Sequence, residues 1–581
     1  MQVNAQSQAT TPLASLSLGK FIRRFGSILS KASLALLILH SNPVLAEKVR
    51  GKPGTTEIVS ADLVYYALER DTLMSISKQF TDTTSNWEAI GKRNRIGNER
   101  AIPIGSAVII PAELLAEENA PARVVALAGI VTAIQKNGQE IPVNLNASLN
   151  EGTQINTSKN GFVTLALADD SRVSIPSNSQ ALLNRLRVTK FTKSPRTEIK
   201  LLDGRVESQV SKLDVNKGRF EVRSKLAIAG VRGTHFRVGV NENGIANEVL
   251  EGGVAVGQAE KPNALILPAG QGNIVTRDGV GKPVQLLPAP TLNPGYQLQE
   301  RPRLQFNINA VDGASEYRAQ ISKDAQVQNI IAENTSKDLA FQFTDLVDGD
   351  YFLRVTAIDP NRLEGMPSVM PFKVKTKPEP PFPLQPKHKV RTPAVEFKWA
   401  QSSEANFYHL QVAKDAQFRE IVLDQNQITR PEFSTEKISV GQYFWRIATV
   451  VERTSGLDHG PFSNPQSFSV LPSQTVNPFE DKGGQQLEFS WPSEPGQRFL
   501  VQIANEPEFK KPLFSKEVNE ARVQMPRPES GIYYIRVRAT DADRFIGIFS
   551  QPQKFEVGLR WITGTGETLQ SMSGVVRPNA Q

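Results

Sequence analysis

Histidines and paired carboxylates are the side chains of this sequence that could support catalysis or hold a metal. Asp169 and Asp170 lie in a turn-like stretch, where carboxylates cap backbone N–H groups rather than flank a bond to be cleaved. The chain has no cysteine, no Gly-x-Ser-x-Gly motif and no phosphate-binding glycine loop. The sequence predicts a protein that is not an enzyme, with no cofactor and no metal. No two of the histidines after residue 46 have the spacing of metal ligands: His235, His388, His409 and His459.

Basic residues are the second group with a possible chemical role. Lys and Arg exceed Asp and Glu by 67 to 59, and half of that excess lies before residue 47. This excess is too small to indicate nucleic-acid binding. One basic stretch could contact an acidic polymer, or it could form a solvated strand face. Its residues are Arg185, Arg187, Lys190, Lys193, Arg196 and Lys200.

The elements that would position a binding site are clearest between Tyr66 and Pro111. Asp71 or Thr72 is a suitable N-cap, because a short side-chain oxygen can accept free N–H groups of the first helical turn. Apolar residues at helical spacing follow it, and a shorter second helix is expected around Trp87. Val108 and Ile110 alternate with smaller neighbours and predict a half-buried strand that ends at Pro111.

This segment, 57–112, resembles the LysM domain: a strand, an Asp-Thr-Leu turn opening a helix, a second helix ending in Asn, and a closing strand ending at Ile-Pro. LysM domains bind glycans containing N-acetylglucosamine, above all peptidoglycan. Arg70 stands where the family usually has Gly. The alternative is a βααβ module that has lost its ligand. The resemblance implies a groove that binds N-acetyl groups by backbone hydrogen bonds, formed by Asp71, Thr72, Leu73, Asn94, Ile102, Ile104 and Gly105.

The first 46 residues have the pattern of an export signal. Four cations precede or border an apolar stretch over 32–39, and Val44-Leu45-Ala46 suits a signal peptidase. The apolar stretch is far shorter than the roughly 20 residues that span a bilayer. We expect cleavage after Ala46 and a mature protein in the periplasm or cell envelope that does not span the membrane. An uncleaved interfacial anchor is the alternative.

From 123 to 287 the sequence changes to short β-runs separated by Gly, Asn and Asp. Two hairpins are predicted, one of them with Asn160-Gly161 as its turn. The motifs at 152–157, 169–171, 204–206 and 231–238 make this segment similar to the FecR domain, which implies a roll of short strands. Arg232 is expected to be a buried, paired guanidinium at a corner, or else an anion or partner contact.

An internal repeat follows from Leu304. Gln320, Gln411 and Gln502 are 91 residues apart, with aromatic residues upstream and a Gly-x-Tyr step downstream. Alternating strands at this spacing predict three β-sandwiches that resemble fibronectin type III or immunoglobulin-like modules. Their predicted limits are 295–376, 383–472 and 476–557, and the tail 558–581 is expected to be disordered.

Together these patterns predict a mainly β multidomain fold: a small βααβ LysM-like domain, a β-rich FecR-like domain and three β-sandwich modules. The expected function is non-enzymatic binding of peptidoglycan, with the β-modules presented to an envelope protein and no role for nucleic acid. One alternative is a periplasmic sensing or adaptor component of a FecR-type system. Typical FecR proteins sense an outer-membrane transporter and regulate a sigma factor across the inner membrane, which requires a cytoplasmic segment and a spanning helix. The sequence predicts neither, so this chain would keep only the sensing half. A surface adhesin is the other alternative.

Overall fold

The computed structural model describes residues 50–212, 218–231, 233–259, 261, 264–482, 484–559, 563–565, 569–571 and 574–575. The predicted signal peptide, Arg232 and most of the tail lie outside these ranges. The described residues form two compact units: one contains 50–125, 130–159 and 163–284, and the other contains 126–129, 160–162 and the residues from 285 on. The fold is mainly β and multidomain, as the sequence predicts.

The N-terminal module, Thr56–Leu115, is a three-stranded antiparallel sheet packed against two helices, with strand order β1-β2-β3. It has one strand more than the expected βααβ arrangement. That strand, β1, is exposed along its whole length, so no buried alternation in the sequence reveals it. The elements are β1 (Thr56–Val59), β2 (Asp62–Tyr66), α1 (Leu73–Phe80), a 3₁₀ turn (Thr84–Asn86), α2 (Trp87–Asn94), β3 (Ala107–Ile110) and a 3₁₀ turn (Ala112–Leu114).

Helix α1 begins at Leu73 because Thr72 caps it. The Thr72 hydroxyl accepts a hydrogen bond from the Ser75 backbone N–H, and the Ser75 hydroxyl accepts one from the Thr72 N–H. Leu73, Ile76 and Phe80 then lie on one buried face, as their spacing predicts. The ring of Phe80 packs 4.8 Å from that of Tyr65, measured between centroids, which joins the helix to the sheet.

The segment after this module forms two large sheets. The nine-stranded sheet has the order β22-β21-β18-β17-β14-β11-β10-β5-β8, and the ten-stranded sheet has the order β20-β19-β16-β15-β13-β12-β9-β6-β7, with β4 paired to β12. The strands are β4 (Glu117–Asn119), β5 (Ala122–Ala128), β6 (Val131–Ile134), β7 (Glu140–Pro142), β8 (Ser148–Leu149), β9 (Gln154–Thr157), β10 (Phe162–Ala166), β11 (Arg172–Ile175), β12 (Gln180–Thr189), β13 (Pro195–Asp203), β14 (Arg205–Gln209), β15 (Arg219–Arg223), β16 (Ala227–Val231), β17 (His235–Asn241), β18 (Gly244–Glu251), β19 (Gly253–Gln258), β20 (Ala264–Pro268), β21 (Gln271–Val275) and β22 (Val284–Gln285).

Of the two hairpins predicted here, one is confirmed and the other is wrong. Strands β10 and β11 pair antiparallel across the Asp169-Asp170 turn, as expected. Asn160-Gly161 turns the chain, with Asn160 at φ 58°, but it does not join two paired strands. The strand before it, β9, pairs with β6 and β12 in the ten-stranded sheet, whereas β10 belongs to the nine-stranded sheet. The chain therefore crosses between layers at this turn.

Three two-layer β-sandwiches follow. The first has a five-stranded sheet of order β23-β29-β28-β25-β26 and the strand pair β24-β27. The second has a sheet of order β31-β38-β36-β33-β34, with β37 also paired to β36, and a three-stranded sheet of order β30-β32-β35. The third has a four-stranded sheet of order β41-β40-β43-β44 and the strand pair β39-β42. The strands are β23 (Leu298–Gln299), β24 (Leu304–Asn307), β25 (Glu316–Ser322), β26 (Ile330–Ser336), β27 (Ala340–Phe343), β28 (Gly349–Ile358), β29 (Ser368–Val374), β30 (Pro383–Gln385), β31 (Lys389–Val390), β32 (Val395–Trp399), β33 (Phe407–Ala413), β34 (Ile421–Ile428), β35 (Glu432–Thr435), β36 (Gly441–Arg453), β37 (Gly456–Phe462), β38 (Gln466–Val470), β39 (Gln486–Ser490), β40 (Arg498–Ala504), β41 (Phe514–Val518), β42 (Arg522–Pro526), β43 (Gly531–Thr540) and β44 (Gln553–Val557).

The repeated glutamine has the same structural role in all three sandwiches. Its amide oxygen accepts two hydrogen bonds from an arginine on the neighbouring central strand, and the two residues are direct cross-strand partners. The pairs are Gln320–Arg354, Gln411–Arg446 and Gln502–Arg536. In the second and third sandwiches the guanidinium also lies between two phenylalanine rings. The sequence repeat thus marks a clamp between adjacent strands.

Of the tail, only short pieces are described. Two of them, β45 (Gln570–Ser571) and β46 (Gly574–Val575), pair antiparallel.

Candidate functional site

The loops that the sequence singled out meet directly in the N-terminal module. Loop 67–73 follows β2, and loop 95–106 precedes β3. The Leu73 N–H donates to the Glu99 carbonyl over 2.8 Å, and the Gly105 N–H donates to the Ala67 carbonyl over 2.8 Å. Because strands β2 and β3 are neighbours, their adjoining ends bring the two loops together at one edge of the module.

Asp71 organises the first loop. One carboxylate oxygen accepts hydrogen bonds from the Tyr65 hydroxyl at 2.8 Å and the Leu68 N–H at 2.7 Å, and the other accepts from the Ser75 hydroxyl at 3.3 Å. Burial and, after it, the hydrogen bond to Asp71 together raise the pKa of Tyr65 to about 12. The Asp71 carboxylate therefore binds groups within the module, and its role in a ligand site would be to hold loop 67–73 in place.

Arg70 takes the backbone conformation that glycine would supply. Its φ is 70°, in the left-handed region where a side chain costs about 1–2 kcal/mol. Its side chain is exposed, and the N-cap that follows is intact. The departure from the LysM pattern therefore leaves the turn and the start of α1 in place.

Asn94 connects α2 to β3. Its side-chain amide donates to the Ile90 carbonyl at 2.8 Å and the Ile109 carbonyl at 2.6 Å, while its oxygen accepts from the Ile109 N–H at 2.7 Å. These bonds explain why the second helix ends in Asn: the side chain continues the hydrogen bonding of the sheet where no strand is present. Like Asp71, Asn94 shapes the site.

A pocket of about 310 Å³ lies beside the second loop. It brings Asn94 and Ile102 together, whereas Asp71, Thr72 and Leu73 lie outside its lining. Ser106 also lines it; this residue is buried, and its hydroxyl has no hydrogen-bond partner among the described residues. The full lining is Asn94, Ile96, Gly97, Asn98, Ala101, Ile102, Pro103, Ser106 and Ala107.

Exposed apolar side chains lie on both loops and at the start of α1. Ile104, from the predicted set, is 51% exposed, and Gly105 beside it turns the chain at φ 75°. Leu68 and Met74, which the sequence analysis missed, are 47% and 53% exposed. The exposure of Met74 could have been predicted from the sequence, because Met74 follows the buried Leu73 and therefore points away from the core face of α1. The two loops present apolar side chains and a polar pocket.

The basic stretch between 185 and 200 is largely paired with glutamates. Arg187 makes two hydrogen bonds of 2.9 Å to Glu151, which hold the pKa of that carboxyl below its usual range. Arg185 donates to both carboxylate oxygens of Glu117, at 2.6 and 2.7 Å. Such pairing neutralises much of the charge that an acidic polymer would need.

Charged residues are also buried within the nine-stranded sheet. Arg237 and Glu248 are cross-strand partners, both fully buried, and lie 3.5 Å apart. Arg205 reaches the same carboxylate at 3.5 Å, and His235 lies 2.7 Å from Glu207 on the next strand. Buried charges of this kind are tolerated when they are paired with opposite charges.

Two histidines that the sequence analysis treated separately meet in the second sandwich. His409 Nδ1 lies 2.7 Å from His459 Nε2, and Asp424 lies 2.5 Å from the other nitrogen of His409. No local signal predicts this contact, because 50 residues separate the two.

Across the described ranges there is no group of three or more His, Asp or Glu side chains placed to hold a metal. Asp169 caps its own turn by accepting from the Ser171 N–H and hydroxyl.

The described part of the chain contains no helix with the length and apolar character needed to cross a membrane.

Comparison with known proteins identifies one part of the chain. No curated protein matches it. Two crystal structures of a protein from Parabacteroides distasonis described as an anti-sigma factor are similar at 20% and 19% identity with TM-scores of 0.19; each match covers 23% of this chain and 58% of that protein's chain. The crystal structure of the chicken CNTN1 FN1–FN3 domains is similar at 15% identity with a TM-score of 0.18, over 47% of this chain and 98% of the other. Residues 153–255 match the FecR protein family, so the chain contains a FecR domain, which extends from β9 into β19.

Proposed function

We propose that this chain is a non-catalytic protein of the bacterial cell envelope that binds peptidoglycan through its N-terminal module. The proposed ligand is the N-acetylglucosamine-containing glycan strand, and the site consists of the pocket and the two loops 67–73 and 95–106. The FecR domain and the sandwiches are proposed to present a surface to a protein partner. The mature chain would act outside the cytoplasm.

The observation that carries this proposal is the joining of the two loops beside a pocket. Sugar rings offer apolar C–H faces and acetyl methyl groups together with hydroxyl and amide groups. Ile104, Leu68 and Met74 suit the apolar faces, and the pocket offers polar groups with the unpaired Ser106 hydroxyl among them. A small number of convergent polar groups within an apolar surround is the usual composition of a ligand site.

A sensing or adaptor role in a FecR-type system is the second candidate, and the family match over 153–255 favours it. The two roles are compatible, because a chain held on the wall by one module could report to a partner through another. In this account the FecR domain supplies the partner contact and the N-terminal module supplies the location.

Co-sedimentation of the full chain with purified peptidoglycan sacculi tests the glycan site. Ile104→Asn and Met74→Asn remove exposed apolar contacts without disturbing the core, and each is expected to weaken binding about fivefold, corresponding to about 1 kcal/mol of lost apolar contact. Ile58→Asn is the matched control, because Ile58 is 48% exposed on β1, away from the loops.

Equal binding by all three variants and the parent would show that the loops are not the site. Absence of binding by the parent chain would leave the adaptor role as the better account of the FecR domain.

A further inference from the structure

A chain of hydrogen bonds runs through the second sandwich. His459 Nδ1 lies 2.7 Å from the Gly460 carbonyl, which accepts, so this nitrogen carries a proton. His459 Nε2 is then the acceptor for His409 Nδ1 at 2.7 Å, and His409 Nε2 faces Asp424 at 2.5 Å. The two rings stand nearly perpendicular, with centroids 4.9 Å apart.

This arrangement has room for three protons on its four ring nitrogens. With Asp424 ionised, both nitrogens of His409 donate and His459 Nε2 accepts. A fourth proton on His459 Nε2 would place two N–H groups against each other over 2.7 Å, between two positive rings. The hydrogen bond between the histidines therefore cannot survive protonation of His459.

His459 lies on β37, and neighbouring residues of this strand contact the first sandwich. Lys375 of the first sandwich pairs with Asp458 at 2.6 Å, and Arg301 donates to the Phe462 carbonyl at 3.0 Å. At Gly460 the backbones approach so closely that a Cβ would lie 2.1 Å from the Pro378 carbonyl oxygen. As far as the structure describes them, the first and third sandwiches have no strand in the place of β37. Strand β37 thus joins the first two sandwiches.

The charged groups around His459 come from several elements. Burial of the ring lowers the pKa of His459, and His409 and Lys375 lower it further, while the Gly460 carbonyl and Glu300 act in the opposite direction. Asp424 faces the pair from β34, and Asp458 precedes His459 on β37. Further cations nearby are Arg446, stacked on Phe462, Arg301 at the joint, and Arg453, which pairs with Asp458.

We propose that His459 is a proton-sensitive latch: a proton on its Nε2 breaks the bond to His409 and releases β37 from the first sandwich, loosening the joint between the two modules. The sign follows from the lowered pKa. A histidine freed from this burial has its ordinary pKa, near 6.5. While His409 keeps both of its N–H protons, the joint is therefore stable above that pH and loses stability as pH falls below it.

Distance measurement in the full chain tests the latch. The sequence has no cysteine, so Lys337→Cys in the first sandwich and Lys437→Cys in the second give a unique pair of spin-label sites. Both positions are exposed. We expect a narrow distance distribution at pH 7.5 and at least a twofold broader one at pH 5, with a midpoint below 6.5.

His459→Gln keeps an acceptor for His409 but cannot gain a charge, so its distribution is expected to stay narrow at both pH values. His409→Gln can turn its amide oxygen towards His459 and accept a hydrogen bond from the protonated ring, so it is expected to flatten the response independently. His388→Gln is the control and should respond like the parent, since His388 is exposed and outside the pair. A parent without a pH response, or a response that persists unchanged in His459→Gln, would overturn the proposal.

Discussion

The polar side chains predicted to bind glycan are largely committed to the module itself. Asp71 holds a loop through three donors, and Asn94 joins α2 to β3 through two hydrogen bonds to Ile109 and makes a third to Ile90 within the helix. Sequence reasoning located both residues but not this role, because their partners Tyr65 and Ile109 are fixed only by the pairing of β2 with β3. Conversely, the exposed Leu68 and Met74 belong to no binding motif, so sequence reasoning passed over them, although the position of Met74 beside the buried Leu73 predicts its exposure.

Replacing Asn94 with Ala should destabilise the N-terminal module by about 2–3 kcal/mol, because the Ile109 N–H and carbonyl lose their partners. The measurement is amide hydrogen exchange of β3 in the full chain, with an expected acceleration of about 30- to 150-fold. Asn98→Ala is the control: Asn98 is exposed and accepts one hydrogen bond from Arg100, so its effect should stay within about 0.5 kcal/mol. Equal effects of the two variants would contradict the assigned role of Asn94.

The N-terminal module should lose stability in strong base. Tyr65 titrates near pH 10 when unfolded and near 12 when folded, so folding keeps its proton. The stabilisation is complete below pH 10 and disappears as pH rises towards 12, at most about 2–3 kcal/mol. The module contains both described α-helices, so helical circular dichroism monitors it. Tyr65→Phe should lose less helical signal between pH 10 and 12 than the parent. An equal loss in the variant and the parent would exclude the titration of Tyr65 as the cause.

The His409–His459 contact shows where residue-level prediction ends. Each histidine is unremarkable in its own strand. Their contact arises because β36 pairs with β33 on one side and with β37 on the other. This pairing brings ring nitrogens of two residues that are 50 positions apart in sequence to within 2.7 Å.

At the level of elements, repetition was more informative than any turn motif. The 91-residue spacing predicted the sandwiches, and β28, β36 and β43 begin at the expected glycines of the Gly-x-Tyr steps. Asn160-Gly161, a strong hairpin signal, gave the wrong pairing. A turn sequence determines that the chain bends, whereas partner choice depends on β6 and β12, which lie elsewhere in the sequence.

The Gln–Arg clamps are expected to act within single sandwiches. Gln411→Ala leaves the Arg446 guanidinium without its acceptor and should destabilise the second sandwich by about 1.5–3 kcal/mol. Gln502→Ala is the matched variant for the third sandwich. Each module has its own core, so hydrogen exchange should rise only in the module that carries the change. Acceleration spread over both sandwiches in either variant would contradict a local clamp.

At the level of the whole molecule, a small α/β module, the FecR domain and three sandwiches follow one another in sequence order. The order and the class of the modules follow from motif, spacing and repeat. The layers of the FecR domain and the joint at β37 do not, because both depend on pairing between distant strands. The proposed division of labour assigns wall binding to the first module and protein contacts to the rest.

The most direct test of this account is hydrogen exchange of the full chain with and without soluble N-acetylglucosamine oligomers. The account predicts slower exchange in 67–73 and 95–106, with β1 and the three sandwiches unchanged. Protection confined to another part of the chain would contradict the proposed site. So would the absence of any protection at oligomer concentrations that displace the chain from sacculi.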